Sequence, residues 1–329
     1  MSISFKRRAL LGASALALAL VSTLPVHAAD AWPSRPISLV APVPPGDNSD
    51  TLARALADHL SKRLGQAVVV ENKPGGGTLL GSSYVARAEP DGYTLMLTTS
   101  ALTVMVNTRD DVTINPATDL EPIAILAEPS LVLVANKDVP AKDMPELLAW
   151  LKANPGKANF ATYGVGSLFH LGAEMLSRQG EVKMNFIPYN GSAPAMQDLM
   201  GGRVHLMFNS MRTIGPLDEE DKLQAIAITN QQRSTMYPDL PTAGESGLPG
   251  FSIATWYGLF APKGTPDAIV DKLNALTLEI LALPDMKKLM DSMDFRVIAS
   301  DNPGTRKIVS DEVNKWKDFV AETGIKVTQ

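Results

Sequence analysis

Ser167 and His170 stand three residues apart, directly after the glycine-rich run Gly164-Val165-Gly166. A serine beside a histidine could act as nucleophile and general base, so the pair is compatible with hydrolysis. The surrounding sequence lacks the Gly-x-Ser-x-Gly pattern of a nucleophile elbow. A histidine in the first turn of a helix can also orient a loop or contact an anion. Both functions stay open at this point, and we favour binding.

Metal and cofactor chemistry finds little support in the sequence. His59 and His205 are too far from each other and from His170 for a zinc-binding helix motif, and no acidic cluster has calcium spacing. The chain has no Cys, which excludes disulfides and thiol chemistry. The run Gly75-Gly76-Gly77 lacks the spacing of a phosphate-binding loop, so we predict a turn there. We therefore expect no cofactor and no metal.

A strand, a stiff loop and a helix must position the first candidate binding residues. Residues 37–41 are nearly all apolar, which predicts a buried strand. Residues 42–48 include three prolines and a glycine and can only be a loop. Leucines recur at every fourth position from 52 to 64, which predicts an amphipathic helix capped by Ser49 or Asp50. The unpaired amides at such a helix start favour an anion, so this junction is a candidate binding element.

Strands and helices alternate in the same way over residues 37–98 and 158–229, and most of the strands end in Gly, Ser, Thr or Asn. This alternation predicts parallel sheets flanked by helices. We expect an α/β fold with two lobes, each a mostly parallel sheet, that close by a hinge on a small ligand. The predicted boundaries are residues 29–130 with 255–329 for lobe 1 and residues 131–254 for lobe 2.

The first 28 residues have the pattern of an export signal. A basic start at Lys6, Arg7 and Arg8 precedes a short apolar run, and cleavage after Ala28 is the natural site. The apolar run is short for a membrane-spanning helix, although an uncleaved anchor is the alternative. The Arg7-Arg8 pair leaves both general and twin-arginine export open. We expect a periplasmic protein.

The charge balance limits the possible partners. Loss of the three positive charges in the export segment changes the formal net charge from −5 to −8. An acidic chain argues against nucleic acid or an anionic membrane surface as a partner. An anionic ligand would gain nothing from the overall field. Its site must therefore be built from local amides and helix dipoles.

Motifs spread in order over the mature chain resemble the Bug-type substrate-binding proteins of tripartite tricarboxylate transporters. The resemblance covers essentially the whole mature chain. The matching segments are Trp32-Pro33-Ser34-Arg35-Pro36-Ile37, Pro44-Pro45-Gly46 with Asp50, Val69-Val70-Glu71-Asn72-Lys73-Pro74-Gly75, Pro90-Asp91-Gly92-Tyr93-Thr94, Asn154-Pro155-Gly156-Lys157, Gly164-x-Gly166-Ser167-x-x-His170-Leu171, Pro188-Tyr189-x-Gly191-Ser192-Ala193-Pro194-Ala195, Leu240-Pro241-Thr242, Gly247-Leu248-Pro249-Gly250-Phe251 and Trp256-Tyr257-Gly258-Leu259-Phe260-Ala261-Pro262.

The resemblance implies a monomeric, non-enzymatic Venus-flytrap protein of the periplasmic binding protein type. It implies a small organic acid as ligand, with a dicarboxylate or an aromatic carboxylate favoured. The acid would be delivered to a membrane permease of a tripartite tricarboxylate transporter or to a sensor kinase. A periplasmic hydrolase using Ser167 and His170 is the alternative from another class, and an orphan signalling protein is a third possibility.

The resemblance also implies which residues hold the ligand. One carboxylate would be held by the first loop and by the loop after Tyr163, and the rest of the ligand by neighbouring strand ends. The residues for the carboxylate are Gly46, Asn48, Ser49, Asp50, Gly164, Gly166, Ser167 and His170. Those for the remainder of the ligand are Thr99, Ser100, Tyr189, Ser192, Ala193 and Asn209.

Three positions depart from the pattern of this family. Asp47 replaces a usual glycine, and we expect it to point outward or to select a ligand with an amine or hydroxyl group. Val43 replaces a frequent aromatic residue and leaves room for a ring-bearing ligand. Asn209 stands where Asp is common, so a second ligand carboxylate is easier to accept there.

Overall fold

The structure is a computed structural model that describes residues 32–326. Its strands are β1 (Ile37–Ala41), β2 (Val68–Asn72), β3 (Thr94–Thr99), β4 (Leu120–Pro129), β5 (Leu131–Asn136), β6 (Ala158–Thr162), β7 (Met184–Pro188), β8 (Leu206–Ser210), β9 (Leu223–Ile228), β10 (Tyr257–Pro262) and β11 (Phe295–Val297). Its α-helices are α1 (Asn48–Leu64), α2 (Leu79–Ala86), α3 (Ala101–Thr108), α4 (Met144–Ala153), α5 (Leu168–Gln179), α6 (Ser192–Met200), α7 (Met211–Glu219), α8 (Asp267–Leu281), α9 (Pro284–Ser292) and α10 (Asn302–Thr323). The predicted export segment and its cleavage site lie outside the described residues.

The strands form two separate sheets, which confirms the predicted two-lobed α/β fold. The first sheet has the order β11-β4-β10-β3-β1-β2, and the second has the order β7-β6-β8-β5-β9. Both sheets are mixed rather than mostly parallel. The βαβ units supply the parallel triplets β2-β1-β3 and β7-β6-β8, whereas β10, β4 and β11 in one sheet and β5 and β9 in the other pair antiparallel.

The antiparallel strands arise because the chain crosses from the first sheet to the second and back again. It leaves the first sheet through β4 and β5, returns after β9, and re-enters the first sheet at β10 in the opposite direction to β3. Asn230 ties these crossings together, because its side chain accepts from the Leu131 N–H at 2.7 Å and donates to the Pro129 carbonyl at 2.9 Å. A second tie joins Thr229 and Ile253, whose two hydrogen bonds measure 2.7 and 2.9 Å.

Helix α10 links the two hydrophobic cores. Its residue Val309 belongs to the buried cluster on one face of the first sheet, together with Phe260. Its later residues Trp316 and Val320 belong to a cluster that contains Phe208 of the second sheet. The helix therefore runs along both lobes. Within residues 32–326, no helix combines the length and the apolar character needed to cross a membrane.

Helix α1 forms as the leucine spacing predicts, since Leu52, Leu56 and Leu60 are fully buried. The predicted cap is wrong by two or three residues. Asp47 is the N-cap, and its carboxylate accepts from the Ser49 N–H at 2.8 Å. Position 47 is Asp in this chain, where the family usually has Gly. The helix can begin earlier because the Asp47 side chain satisfies an open amide.

Candidate functional site

The structure places the predicted site residues at the carboxyl ends of the parallel strands. In the first sheet, β1 leads into the loop at 42–47 and β3 into residues 99–100. In the second sheet, β6, β7 and β8 lead into residues 163–167, 189–191 and 209–210. Since parallel strands end at one edge of a sheet, each lobe collects its candidate residues on one edge, where α/β proteins bind ligands.

The first loop is locked by Asp50. The Gly46 N–H donates to Asp50 Oδ2 at 2.9 Å, and the carboxylate also accepts from Arg54 Nε at 3.0 Å and Asn72 Nδ2 at 2.8 Å. The Asn72 amide reaches further to the Val43 carbonyl at 3.1 Å. Asp50 is only 3% exposed. Its carboxylate thus holds the loop together, and the Gly46 amide is already in use.

The charge of Asp50 is stabilised despite its burial. Burial alone would raise the pKa of this carboxyl group, but the hydrogen bonds from Arg54, the Gly46 amide and Asn72, with the charge of Arg54, lower the pKa to about 2. Asp50 is therefore an anion throughout the neutral range. The positive charge of Arg54 offsets it, which leaves the exposed N-cap Asp47 as the other acidic group of the loop.

Next to this lock, the start of α1 presents a different set of groups. Asn48 is exposed and its side chain bonds to Tyr257, whereas Ser49 is buried. Burial raises the pKa of Tyr257, and the nearby charge of Asp47 adds to this effect. Sequence reasoning did not list Tyr257. Its signal was available, because it opens the crossing strand β10 beside Thr99.

The second loop has the same architecture with a different lock. The Gly166 N–H donates to His170 Nδ1 at 3.0 Å, and the Ser167 hydroxyl caps α5 by accepting from the His170 N–H at 3.2 Å. Burial lowers the pKa of His170. Because Nδ1 accepts a hydrogen bond, the imidazole is neutral with its proton on Nε2. Nδ1 serves the loop and does not bond to the Ser167 hydroxyl.

At the end of β3, only one of the two predicted residues reaches the surface. Thr99 is half-buried, and its hydroxyl accepts from the Ala101 N–H at 3.3 Å. Ser100 is fully buried. Its N–H donates to the Trp256 carbonyl and its hydroxyl to Thr255 Oγ1, both at 3.1 Å. Ser100 therefore ties β3 to the crossing before β10.

The end of β7 presents open backbone donors. Helix α6 starts at Gly191, and no side chain caps it. The first helical residues, Ser192 and Ala193, are exposed, so their amides face solvent at the positive end of the helix. The Tyr189 hydroxyl is engaged elsewhere, since it donates to Asp198 Oδ2 at 2.7 Å. Burial, the bond to Asp198 and its charge raise the pKa of Tyr189 to about 12.

The end of β8 carries a buried donor without a protein partner. Asn209 is 8% exposed, its Oδ1 accepts from the Ser210 N–H at 2.7 Å, and its Nδ2 has no hydrogen-bond partner in the part of the chain that the structure describes. Arg212, one turn further on, is exposed at the start of α7. Sequence reasoning missed Arg212, although it directly follows the strand end. Together these groups favour an acceptor, and they contribute donors rather than carboxylates.

The described residues hold no group of three or more side chains suited to a metal ion. What remains open to a ligand is a set of neutral donors on helix starts, with the exposed Arg212, at the strand-end edges of the two sheets. That arrangement defines the class of two-lobed solute-binding proteins.

The chain belongs to the tripartite tricarboxylate transporter family receptors, because the model of that family, TctC, matches residues 52–325. These receptors are periplasmic solute-binding proteins. The chain is 35% identical over 301 residues to the protein BugT of Bordetella pertussis, covering 91% of this chain and 92% of BugT.

Solved structures agree with this assignment. MatC from Rhodopseudomonas palustris, with bound malate, is 33% identical with a TM-score of 0.72, covering 88% of this chain and 100% of MatC. Rpa4515 from R. palustris, with adipate, is 30% identical with a TM-score of 0.76, covering 90% of this chain and 99% of Rpa4515.

Proposed function

We propose that this chain captures a small dicarboxylate in the periplasm and delivers it to the permease of a tripartite tricarboxylate transporter. The observation that carries this proposal is the unpartnered Nδ2 of Asn209, a buried donor that costs about 1–3 kcal/mol unless a ligand accepts from it. A carboxylate meets that need, whereas an ammonium group does not. The dicarboxylates malate and adipate in the structures of two relatives support the same class.

We propose that the open donors contact the ligand directly and that the locked residues position the loops. The direct group comprises Asn48, Thr99, Ser167, Ser192, Ala193 and Asn209, with Arg212 added. The positioning group comprises Gly46, Ser49, Asp50, Ser100, Gly164, Gly166, His170 and Tyr189. Internal hydrogen bonds support the positioning role of Gly46, Asp50, Ser100 and His170, because a group that already has its partners gains less from a ligand. In the direct group, Asn48 also bonds to Tyr257 and the Ser167 hydroxyl also caps α5.

A periplasmic hydrolase is the weaker alternative. The His170 Nδ1 accepts from Gly166, and the Ser167 hydroxyl accepts from a backbone amide, so neither atom is set up for proton transfer between the two side chains. We therefore propose binding without turnover. Ester and amide hydrolysis abolished by Ser167→Ala would contradict this.

We also propose where the two lobes divide and which partners the protein serves. Hydrogen bonds between the crossing segments at 129–131, 229–230 and 252–253 support a division into residues 29–130 with 255–329 and residues 131–254. We propose a monomer that serves a transporter, with a sensor kinase as the second possible recipient. Deletion of the cognate permease genes should abolish uptake of the bound acid. Uptake that persists, with loss of induction instead, would favour the sensor.

A thermal-shift screen of mono-, di- and tricarboxylates, aromatic acids and amino acids tests the ligand class. A ligand at 100 times its Kd stabilises the folded state by about 2.7 kcal/mol. We expect C4 to C6 dicarboxylates to raise the Tm more than their monocarboxylate or amino-acid counterparts. Asn209→Asp should weaken dicarboxylate binding at least about tenfold, which calorimetry measures. Binding of monocarboxylates alone would contradict the proposal.

A further inference from the structure

A cavity of about 580 Å³ lies where the chain crosses between the lobes. Both crossings contribute to its wall: Glu128 from the first, and the two ends of the return between β9 and β10, with Gln231 and Gln232 at one end and Ser252, Ala254 and Trp256 at the other. None of the predicted ligand-binding residues lines it. The cavity is large enough for a small molecule.

Helix α10 and strand β11 close the cavity. Helix α10 contributes Ile308, Asp311, Glu312 and Lys315, and β11 with the residue after it contributes Arg296 and Ile298. Since α10 packs on both lobes, rotation of one lobe against the other must change the shape of this cavity.

Most charged groups on the wall already have partners. Glu128 accepts from Arg296 and from Asn230, each at 2.5 Å. Lys315 donates to the Ser252 carbonyl at 2.8 Å and lies over the Trp316 ring. Asp311 pairs with Lys307 on the outside of the helix at 2.5 Å.

Glu312 differs from these groups. Its carboxylate accepts from the indole N–H of Trp256 and, at 3.5 Å, from that of Trp316, and no cationic side chain of residues 32–326 lies within ion-pairing distance. Burial raises the pKa of Glu312 to about 7, although the Trp256 bond and the charge of Lys315 lower it and the charge of Glu128 raises it further. The carboxylate is thus a charge without a counter-ion in a recess that a ligand can enter.

We propose that this hinge cavity binds a small organic ammonium ion, with its cationic group on Glu312. An ammonium ion supplies the missing counter-charge, and the faces of Ile125, Ile298, Ile308 and Trp256 cover an apolar body. A neutral molecule would leave the charge of Glu312 uncompensated. An anion would face the carboxylates of Glu128, Asp311 and Glu312. The two cations of the wall, Arg296 and Lys315, already have hydrogen-bond partners.

The cavity is connected to the predicted ligand site. The Trp256 carbonyl accepts from the Ser100 N–H, and Thr255 between the two cavity residues accepts from the Ser100 hydroxyl. Occupation of the cavity should therefore change the affinity of the cleft for its acid, and the acid should change cation affinity by the same factor. This coupling rests on the proposed function, whereas the cation site does not.

Calorimetry on the mature protein tests the site, with benzylammonium as the probe and benzyl alcohol as its neutral control. The titrations are carried out at about pH 8, where Glu312 is mostly ionised. We expect benzylammonium to bind at a single site and benzyl alcohol to bind at least about tenfold more weakly. Glu312→Gln should weaken benzylammonium at least about tenfold, and Asp318→Asn, exposed on the same helix but outside the cavity wall, by less than about twofold. Ala254→Leu, which fills the cavity, should weaken it as much as Glu312→Gln.

Three results would overturn the cation site: no benzylammonium binding at millimolar concentration, equal binding of benzyl alcohol, or undiminished binding to Glu312→Gln. If Glu312→Gln does not fold, Ala254→Leu decides. Unchanged acid affinity in saturating benzylammonium would overturn the coupling. Failure of every acid in the screen would contradict the proposed function and leave the cation result intact.

Discussion

The two glycine loops of this protein, one in each lobe, have the same construction and opposite chemistry. In each, a glycine amide donates to a side chain four residues later on the following helix, Gly46 to Asp50 and Gly166 to His170. The first acceptor is a carboxylate held ionised by Arg54 and Asn72, and the second is a neutral imidazole.

The difference teaches how a net acidic protein can bind an acid without repelling it. The Asp50 carboxylate, which forms the first lock, is buried and pairs with the Arg54 guanidinium group. Its charge is therefore balanced within the lobe. The imidazole lock adds no charge. The donors of the second lobe that we propose for the ligand, at Ser192, Ala193 and Asn209, are the backbone amides of a helix start and a side-chain amide, which carry no negative charge.

Removal of the carboxylate lock, the hydrogen bonds that Asp50 accepts in the first loop, should have the largest effect on stability. Asp50→Asn is expected to lower the free energy of unfolding by about 2 kcal/mol at pH 7, because the depressed pKa of Asp50 is a stability contribution. That contribution is present above the ordinary pKa of 3.8 and is lost as the pH falls towards 2. Urea titrations at pH 7 and pH 2.5 should show a difference between wild type and variant that shrinks in acid.

Asp58→Asn is the matched control for this prediction, because Asp58 lies on the same helix and pairs with Lys62 at 2.6 Å on its exposed face. Its urea midpoint should stay close to that of wild type. A similar loss in both variants would mean that helix charge, rather than the loop lock, sets the stability.

Removal of the imidazole lock should cost less stability and more function. His170→Ala leaves the Gly166 amide without its acceptor and should lower stability by about 1–2 kcal/mol. Acid binding should weaken as well, since the loop that carries Ser167 loses its support. His205→Ala is the control: His205 Nδ1 also accepts a backbone amide, from Asn159 at 3.0 Å, but outside the strand-end edge. Its acid affinity by calorimetry should not change.

The imidazole lock should also make binding depend on pH. Burial lowers the pKa of His170 in the folded state, so its contribution is complete above the ordinary value of 6.5 and is lost as the pH falls through the lower folded value. Acid affinity of the wild type should therefore decline once the pH falls through the lowered pKa of folded His170, on the acid side of 6.5, and that of His170→Ala should decline less. Parallel declines would assign the pH dependence to another group.

The smallest effect should come from the half-exposed partner of the carboxylate lock. Arg54→Gln removes the guanidinium that helps to lower the pKa of Asp50, while the Gly46 and Asn72 bonds remain. NMR titration should show a higher pKa for Asp50, and the urea midpoint should fall less than in Asp50→Asn. An equal fall would make the ion pair, not the loop amide, the main partner.

The locks show where sequence analysis reached its limit. The motif at Gly166, Ser167 and His170 indicated a functional loop, and the structure keeps those residues together. The sequence did not indicate that the imidazole serves the Gly166 amide, because the bond depends on the positive φ of 72° at Gly166 that brings its N–H over the first turn. The same holds for Asp50, which the resemblance assigned to the ligand and the structure buries.

By itself the sequence determined the elements and the family. Apolar runs, leucine spacing and glycine positions are local, so they indicated the βαβ units, the helix α1 and the two lobes without any knowledge of packing. Helix α7 was not predicted from the sequence, because Gly215 and Pro216 interrupt its helical pattern.

Only the tertiary structure decided which polar groups remain available. A donor is open or occupied according to neighbours that are distant in sequence, as with Ser100 and Thr255, or Glu312 and Trp256. The antiparallel strands and the hinge cavity have the same origin, because both form where segments distant in sequence come together. Such contacts leave no periodic trace along the chain.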